Sequence, residues 1–308
     1  MKFATVKHRE TWAPAVVVGD EAVLLPECFS DLVAFIEAGE EARAAIVRHI
    51  ERADSVRVRL SDAALGAPIT RFRRDVLCCG WNYWDHFYES KGKREGQDVP
   101  RPDAPTFFTK SPDTVIGPFD DIAYDERISR KWDYEAEIAI VFAKTGRSIP
   151  SHKAWDYVFG LTLANDVSQR DLQRRHGGQW LKGKSIDRTM PLGPVIVTPD
   201  ELDVPNLHIE LLLNGRTMQS AFAKQMAFPI DELVAELTFG MTVHAGDVLL
   251  TGTPSGIGNA RTPPIFLKPD DEVVVRAAGI GELRNRLVRA DLAKQSSISI
   301  YSKIEGSR

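Results

Sequence analysis

Cysteine is scarce in this chain. Cys28 and the adjacent Cys78 and Cys79 are its only three, and their spacing offers neither a disulfide framework nor a C-x-x-C zinc pattern. Long apolar runs are missing: no segment approaches the ~18 residues of a membrane-crossing helix. The opening stretch MKFATVKHRETWAP lacks the apolar core of a secretory signal. An excess of one charge is missing too. With 39 basic and 43 acidic side chains the formal net charge is −4 over 308 residues, and basic runs are short. No field is expected that would hold nucleic acid or an anionic membrane. There is no internal repeat and no low-complexity tract. What is present is ordinary for a globular protein: 43% hydrophobic residues, enough for a substantial core, and 27% charged ones. A cytoplasmic protein with neither nucleic-acid nor membrane partners is expected.

Two textures follow one another along the chain. Residues 1–70 read as a small N-terminal α/β domain, with short strands (AVVVGDEAVLL) followed by helix (DLVAFIEAGEEARAAIVRHIERA). Ser30 is placed to cap that helix and Gly39 to interrupt it. Residues 71–308 read as a mainly β catalytic domain, in which β-rich runs such as YEAEIAIVF, VFGLTLANDV, GPVIVT and DVLLTGTP are separated by turn signals rich in Pro and Gly. Only FPIDELVAELTFG has extended helical spacing in the second half. Regular βαβ alternation is absent, which argues against a doubly wound sheet. The fold class expected is α+β, mainly β.

Four pieces carry chemistry. In KWDYEAEIAIVFAK a strand from Tyr134 to Phe142 would place Tyr134, Ala136, Ile138, Ile140 and Phe142 on one face. Glu135, Glu137, Ala139 and Val141 would share the other. The carboxylate pair is either the solvated face of an edge strand or, if buried, a pair that needs a cation, since unpaired buried carboxylates cost several kcal/mol or protonate. All-oxygen ligation favours a hard ion such as Mg²⁺ or Mn²⁺ over zinc. In LTLANDVSQRDLQ, Asp166 at a strand end is either a cap or a third ligand, and Arg170 and Gln173 share a helix face that can offer donors to a carboxylate. In GWNYWDHFYES a helix over 82–90 would set His86 and Glu89 one turn apart. They are either an exposed pair or a general base for water. The following KGKREGQDVPRPDAP, with Lys91, Lys93 and Arg94, has the composition of a lid or of a solvated run. Last, DVLLTGTPSGIGNA runs a strand into a Gly-rich turn that can cradle an anion with N–H groups and a threonine hydroxyl, and Lys184 precedes what reads as a rigid Pro-Leu-Gly-Pro turn.

In this order these pieces resemble the fumarylacetoacetate hydrolase family. The sequence supplies GWNYWDHFYE, PTFFTK, DYEAE, NDVSQRDLQ, GKSIDRTMPLGP, TGTPSGIG and GIGELRN, over about residues 75–290. The resemblance implies a mixed β-sandwich roll, usually a homodimer. It implies that Glu135, Glu137 and Asp166 ligate Mg²⁺ or Mn²⁺, that His86 and Glu89 activate water, and that Lys184 stabilises developing charge. Arg170, Gln173, Thr253 and Tyr83 match substrate-binding positions. The activity expected is hydrolysis of a C–C bond in a 2,4-dioxo acid of acylpyruvate or fumarylpyruvate type, giving pyruvate and a carboxylic acid. The alternative uses the same metal-enolate site: decarboxylation or isomerisation of an oxaloacetate-like or 2-oxo-dioate substrate, as in aromatic degradation. Either way the partner is a small anionic 2-oxo acid. Gln169, Arg188, Met190 and Asp270 depart from the family pattern. Asp tolerates the left-handed turn required at 270, and Arg188 points either to a second substrate carboxylate or to solvent.

Overall fold

A computed structural model of the chain describes residues 1–93 and 99–294. Its centre is the strand Ala136–Phe142, every residue of which is buried. It pairs antiparallel with Val158–Asn165 on one side and with Val248–Leu250 on the other. The edge-strand reading of the two glutamates is thereby overturned. The strand is also shorter at its start than expected, because Trp132–Asp133 bridges separately to Ser168–Gln169. The sheet continues through Met190–Val197 in one direction and through Val76–Gly80 and Thr106–Lys110 in the other. Met190–Val197 contains the Pro-Leu-Gly-Pro run, which is therefore strand and not turn, paired through Leu163↔Gly193 and Ala164↔Leu192.

The alternation read from the sequence sets the two faces of this sheet. Tyr134, Ala136, Ile138, Ile140 and Phe142 join one core with Ile209, Leu211, Val273, Val275 and Leu283. Those partners lie on a second sheet of five strands, ordered Arg216–Phe222, His208–Leu213, Glu272–Ala277, Gly281–Arg289 and Ile122–Tyr124. Ala139 and Val141 face the other way, into a core with Phe3, Leu32, Phe35, Phe159 and Ile196. The result is an α+β, mainly β sandwich of two packed sheets, with the N-terminal helix residues Leu32 and Phe35 in the core on the other face of the central sheet. Among the described residues no helix is long and apolar enough to cross a membrane.

The N-terminal segment joins the same sheet. Strand Lys2–His8 pairs with Met190–Val197 through Lys2↔Val197 and Phe3↔Ile196. Its helix begins at Leu32, capped by Asp31 and not by Ser30: the Asp31 side chain accepts from the Ala34 N–H at 2.7 Å. A carboxylate one residue nearer the first turn reaches that donor, and the Ser30 hydroxyl only touches Asp31. The helix stops at Glu37, and a second one starts at Gly39, whose φ of +72° makes the expected break. Asp270 takes φ +73° in its turn. Phe3 packs on Phe35 and Phe159 at ring centroid distances of 5.3 and 5.0 Å, tying strand, helix and central sheet together. Phe3→Ala should therefore destabilise the protein by about 3–5 kcal/mol. A single urea transition at lower midpoint is expected, and a separate early transition for residues 1–70 would show that the segment unfolds by itself.

Candidate active site

The antiparallel register Ala136↔Asn165 brings the start of one central strand to the end of its neighbour. Glu135 just ahead of the first strand, Glu137 on it and Asp166 just past the second consequently meet. Their carboxylate oxygens lie within 4.8 Å of one another, and all three residues are buried. Asp166 does not cap a helix, and the helix that follows is Arg170–Arg175.

Cations surround this cluster. Lys184 Nζ donates to Glu135 Oε2 at 2.7 Å and to Asp166 Oδ2 at 2.6 Å. Lys110 Nζ sits 2.9 Å from Asp166 Oδ1 and donates to the Val167 carbonyl at 2.9 Å. Arg170 Nη1 is 2.7 Å from Glu135 Oε1, and its Nε donates to Asp133 Oδ2 at 2.8 Å. Lys184 is thus a buried residue, not a surface lysine. Burial alone would raise the Glu135 carboxyl, but Lys184 and Arg170 outweigh it and bring it down to about 2. Burial would lower Lys184, and the Asp166 and Glu135 carboxylates raise it instead. Among the described residues Glu137 has no such partner. It accepts one hydrogen bond, from the Gly252 N–H at 2.6 Å. Burial, and then the charges of Asp166 and Glu135, push its carboxyl well above the ordinary range. Four buried carboxylates, counting Asp133, face three buried cations. An all-oxygen cluster left one positive charge short could hold a hard divalent cation.

The helix over His86 runs Trp84–Glu89, within the expected 82–90. His86 Nδ1 bonds to Glu89 Oε1 at 2.8 Å, and Glu89 Oε2 accepts from the Gly256 N–H at 2.8 Å. Since the carboxylate can only accept, Nδ1 carries a proton, and in the neutral ring the lone pair lies on Nε2. His86 is buried, so the exposed-pair alternative does not hold. Asn82 pins the strand-to-helix connection. It donates to the carbonyls of Thr251 and Phe228 at 2.8 and 3.0 Å and accepts from the Phe228 N–H at 2.8 Å.

The Gly-rich turn works differently from the expected ligand cradle. Its N–H groups are spent on the protein's own carboxylates: Gly252 on Glu137, Gly256 on Glu89, and Gly258 and Asn259 on Asp133 at 2.7 and 2.9 Å. Gly252 has φ +100°, and a Cβ there would press on Asn82. At Gly258 a Cβ would run into the Ile265 carbonyl. These close approaches need glycine.

One pocket collects the candidates. Glu135, Glu137, His86, Arg170, Gln173, Lys184 and Thr253 all line it. Asp166 and Glu89 stand behind the lining, bonded to Lys184 and His86. Tyr83 does not line it either: it is buried under the helix start, where it bridges to Met226, and burial followed by the Glu137 charge raises its hydroxyl. Arg188 is exposed and away from the pocket, bound through its backbone to Asp113 and Ala123. Met190 is wholly buried in strand. Lys93 bonds to the Ala260 carbonyl and lies 3.2 Å from Thr262 Oγ1; Arg94 lies outside the described residues. An aromatic wall closes one side, where Trp81, Phe108 and Trp180 stack edge to face with Trp180 centroids 4.9 and 5.1 Å from the other two. That wall was not foreseen, because its rings are spread over a hundred residues of sequence. Lys110 and Asp133 stood inside the PTFFTK and DYEAE motifs without a role. Gln219, described below, had no local signal at all.

Residues 75–288 match the family model described as fumarylacetoacetate (FAA) hydrolase C-terminal. The chain belongs to the fumarylacetoacetate hydrolase family. Within it, the chain is 36% identical over 306 residues to the oxaloacetate tautomerase YisK of Bacillus subtilis, covering 93% of this chain and all of that protein. It is 40% identical over 256 residues to the human mitochondrial oxaloacetate tautomerase FAHD2A, covering 82% and 78%. Among solved structures, the fumarylacetoacetate hydrolase of Exiguobacterium antarcticum superposes with a TM-score of 0.80 at 33% identity, over 94% of this chain and all of that one. The 5-carboxymethyl-2-hydroxymuconate delta-isomerase of Mycobacterium smegmatis superposes at 0.72 and 28% identity, over 94% and 100%. These findings support a family-level enzyme but leave the hydrolase assignment without confirmation; they favour the isomerase side of the alternative.

The raised Glu137 carboxyl has a consequence for stability. The folded chain holds that proton to higher pH than the unfolded chain does, so stability falls as pH rises from the ordinary glutamate range through the raised value. In chelator-treated protein, Glu137→Gln should be more stable than the parent at neutral pH. The gap should close as the pH falls toward about 4.3. Urea midpoints measured across pH check this, and parallel curves would rule it out.

Proposed function

We propose that this protein is a divalent-metal-dependent tautomerase of an oxaloacetate-like 2-oxo dioate, interconverting its keto and enol forms. The observation that carries the reading is a buried three-carboxylate cluster, two of whose members line one pocket together with His86 of a His–Glu pair, in a chain that matches an oxaloacetate tautomerase over that protein's full length. Glu135, Glu137 and Asp166 would hold Mg²⁺ or Mn²⁺, and the bound ion would supply Lewis-acid stabilisation of enolate charge.

The chain's own residues supply the rest. His86 Nε2 takes a proton from the carbon between the carbonyl and the distal carboxylate, and Glu89 stabilises the imidazolium that forms. The electron pair moves onto the keto oxygen, where the Lys184 charge opposes it. That oxygen then takes up a proton to give the enol while the imidazolium gives up its own, so protons balance and His86 returns to its neutral form. The buried Arg170 guanidinium keeps its Nη2 without a hydrogen-bond partner among the described residues, a donor suited to a substrate carboxylate, and Gln173 lies beside it at 3.1 Å. No water need be activated for this reaction. The aromatic wall suits a conjugated planar enol.

The test is oxaloacetate dissolved as its enol, followed by loss of the enol absorbance with Mg²⁺ or Mn²⁺ and with chelator. Metal-dependent decay without CO₂ or pyruvate release is expected. His86→Ala should slow it by about 10²–10⁴, and Asp166→Ala should abolish it together with metal binding. Pyruvate and CO₂ from oxaloacetate would make the enzyme a decarboxylase. Pyruvate and a carboxylic acid from acetylpyruvate or fumarylpyruvate, with oxaloacetate inert, would restore the hydrolase.

A further inference from the structure

Gln219 comes from the outer five-stranded sheet, yet its side chain ends at the pocket's rear wall. It is 1% exposed and lies on the strand Arg216–Phe222. Its Oε1 accepts from the Ala136 N–H at 2.9 Å, at the start of the central strand between Glu135 and Glu137. Its Nε2 donates to the Pro254 carbonyl at 2.7 Å and to Thr253 Oγ1 at 2.8 Å.

The orientation of this amide follows from its partners. A backbone N–H can only donate and a carbonyl can only accept, so the end facing Ala136 is the oxygen and the end facing Pro254 is the nitrogen. Nε2 therefore presents a hydrogen to Thr253 Oγ1, and the threonine oxygen must act there as acceptor. The hydroxyl's own proton must go elsewhere. Among the described residues Thr253 Oγ1 makes no other hydrogen bond, and Thr253 lines the pocket with 2% exposure.

We infer that Gln219 is a positioning residue that fixes the Thr253 hydroxyl as a donor into the pocket, making it selective for an anionic oxygen of the ligand. This rests on the reading of the pocket as a 2-oxo acid site. Gln219 touches no substrate in this scheme and acts only through Thr253. Without it, the Pro254 carbonyl loses its donor. That carbonyl and Thr253 Oγ1 are both within 2.8 Å of the same nitrogen, so the freed carbonyl competes for the hydroxyl proton. A buried acceptor left unpaired is costly, which drives that competition.

Oxalate is a suitable probe, because its planar dioxygen edge matches a carboxylate beside an enolate and it is not turned over. Its affinity in the presence of Mg²⁺ would be measured by calorimetry on the parent, Gln219→Met, Thr253→Val and the double variant. A lost hydrogen bond to a charged group corresponds to roughly tenfold or more. Each single variant should weaken oxalate by about that factor, and the double should bind like Thr253→Val alone. Thr253→Ser should restore affinity. Parent-like affinity of Gln219→Met, or independent losses that multiply in the double, would overturn the inference. If Gln219→Met does not fold, Gln219→Glu keeps an acceptor for Ala136 and removes the paired donors, and the same cycle applies. Failure of the parent to bind oxalate would overturn the 2-oxo acid reading and this inference with it. Oxalate binding with no oxaloacetate turnover would instead overturn only the tautomerase assignment.

Discussion

The structure is organised around removing three carboxylates from water at the ends of two adjacent strands. Glu135, Glu137 and Asp166 repel one another across less than 4.8 Å, and the desolvation of each ion costs several kcal/mol before any pairing. Most of the surrounding architecture answers that constraint. Lys184, Lys110 and Arg170 arrive from three different segments, all of them buried. Together they satisfy Glu135 and Asp166 but not Glu137. This asymmetry separates a site able to accept a further cation from a fully neutralised structural ion network.

The same constraint explains the Gly-rich turn. Its sequence suggests an anion cradle, and its backbone does bind anions, but they are carboxylates of the protein. Glu137, Glu89 and Asp133 are each held by N–H groups of residues 252–259. Because Asp133 also bonds Arg170 and Glu89 also bonds His86, one loop links the carboxylate cluster, the arginine and the base. Backbone donors suit that task, since they cost no side-chain entropy and cannot lose their proton.

A scaffold of this kind is indifferent to which reaction generates the enolate. The cluster, Lys184 and Arg170 would serve bond cleavage, decarboxylation and tautomerisation alike. The difference lies in what the base is offered, a water or a carbon acid, and that is set by the lining of the pocket. Here the lining combines the aromatic wall of Trp81, Phe108 and Trp180 with polar side chains such as Ser90, Gln173, Thr253 and Asn259.

Much of this was legible in the sequence, for local reasons. Alternation along 134–142 separates the two faces of the central strand, because a strand's period is 2 whatever surrounds it. The spacing of His86 and Glu89, and of Arg170 and Gln173, reads as single helical turns for the same kind of reason. Ordered motifs carried the family. Three things required the fold. The Pro-Leu-Gly-Pro run is strand because a neighbour pairs with it, and Asp31 displaces Ser30 as cap because its carboxylate reaches the Ala34 N–H. The N-terminal strands extend the main sheet because Phe3 meets residues some 150 and 190 positions away. Above all, the direction of a hydroxyl on Thr253 depends on Gln219, and the proton affinity of Glu137 depends on its burial and then on Asp166. The sequence by itself determined which side chains face together along each segment. Tertiary structure alone decided which charges share a dielectric and which donors meet which acceptors, because those energies depend on distances through space that no local period encodes.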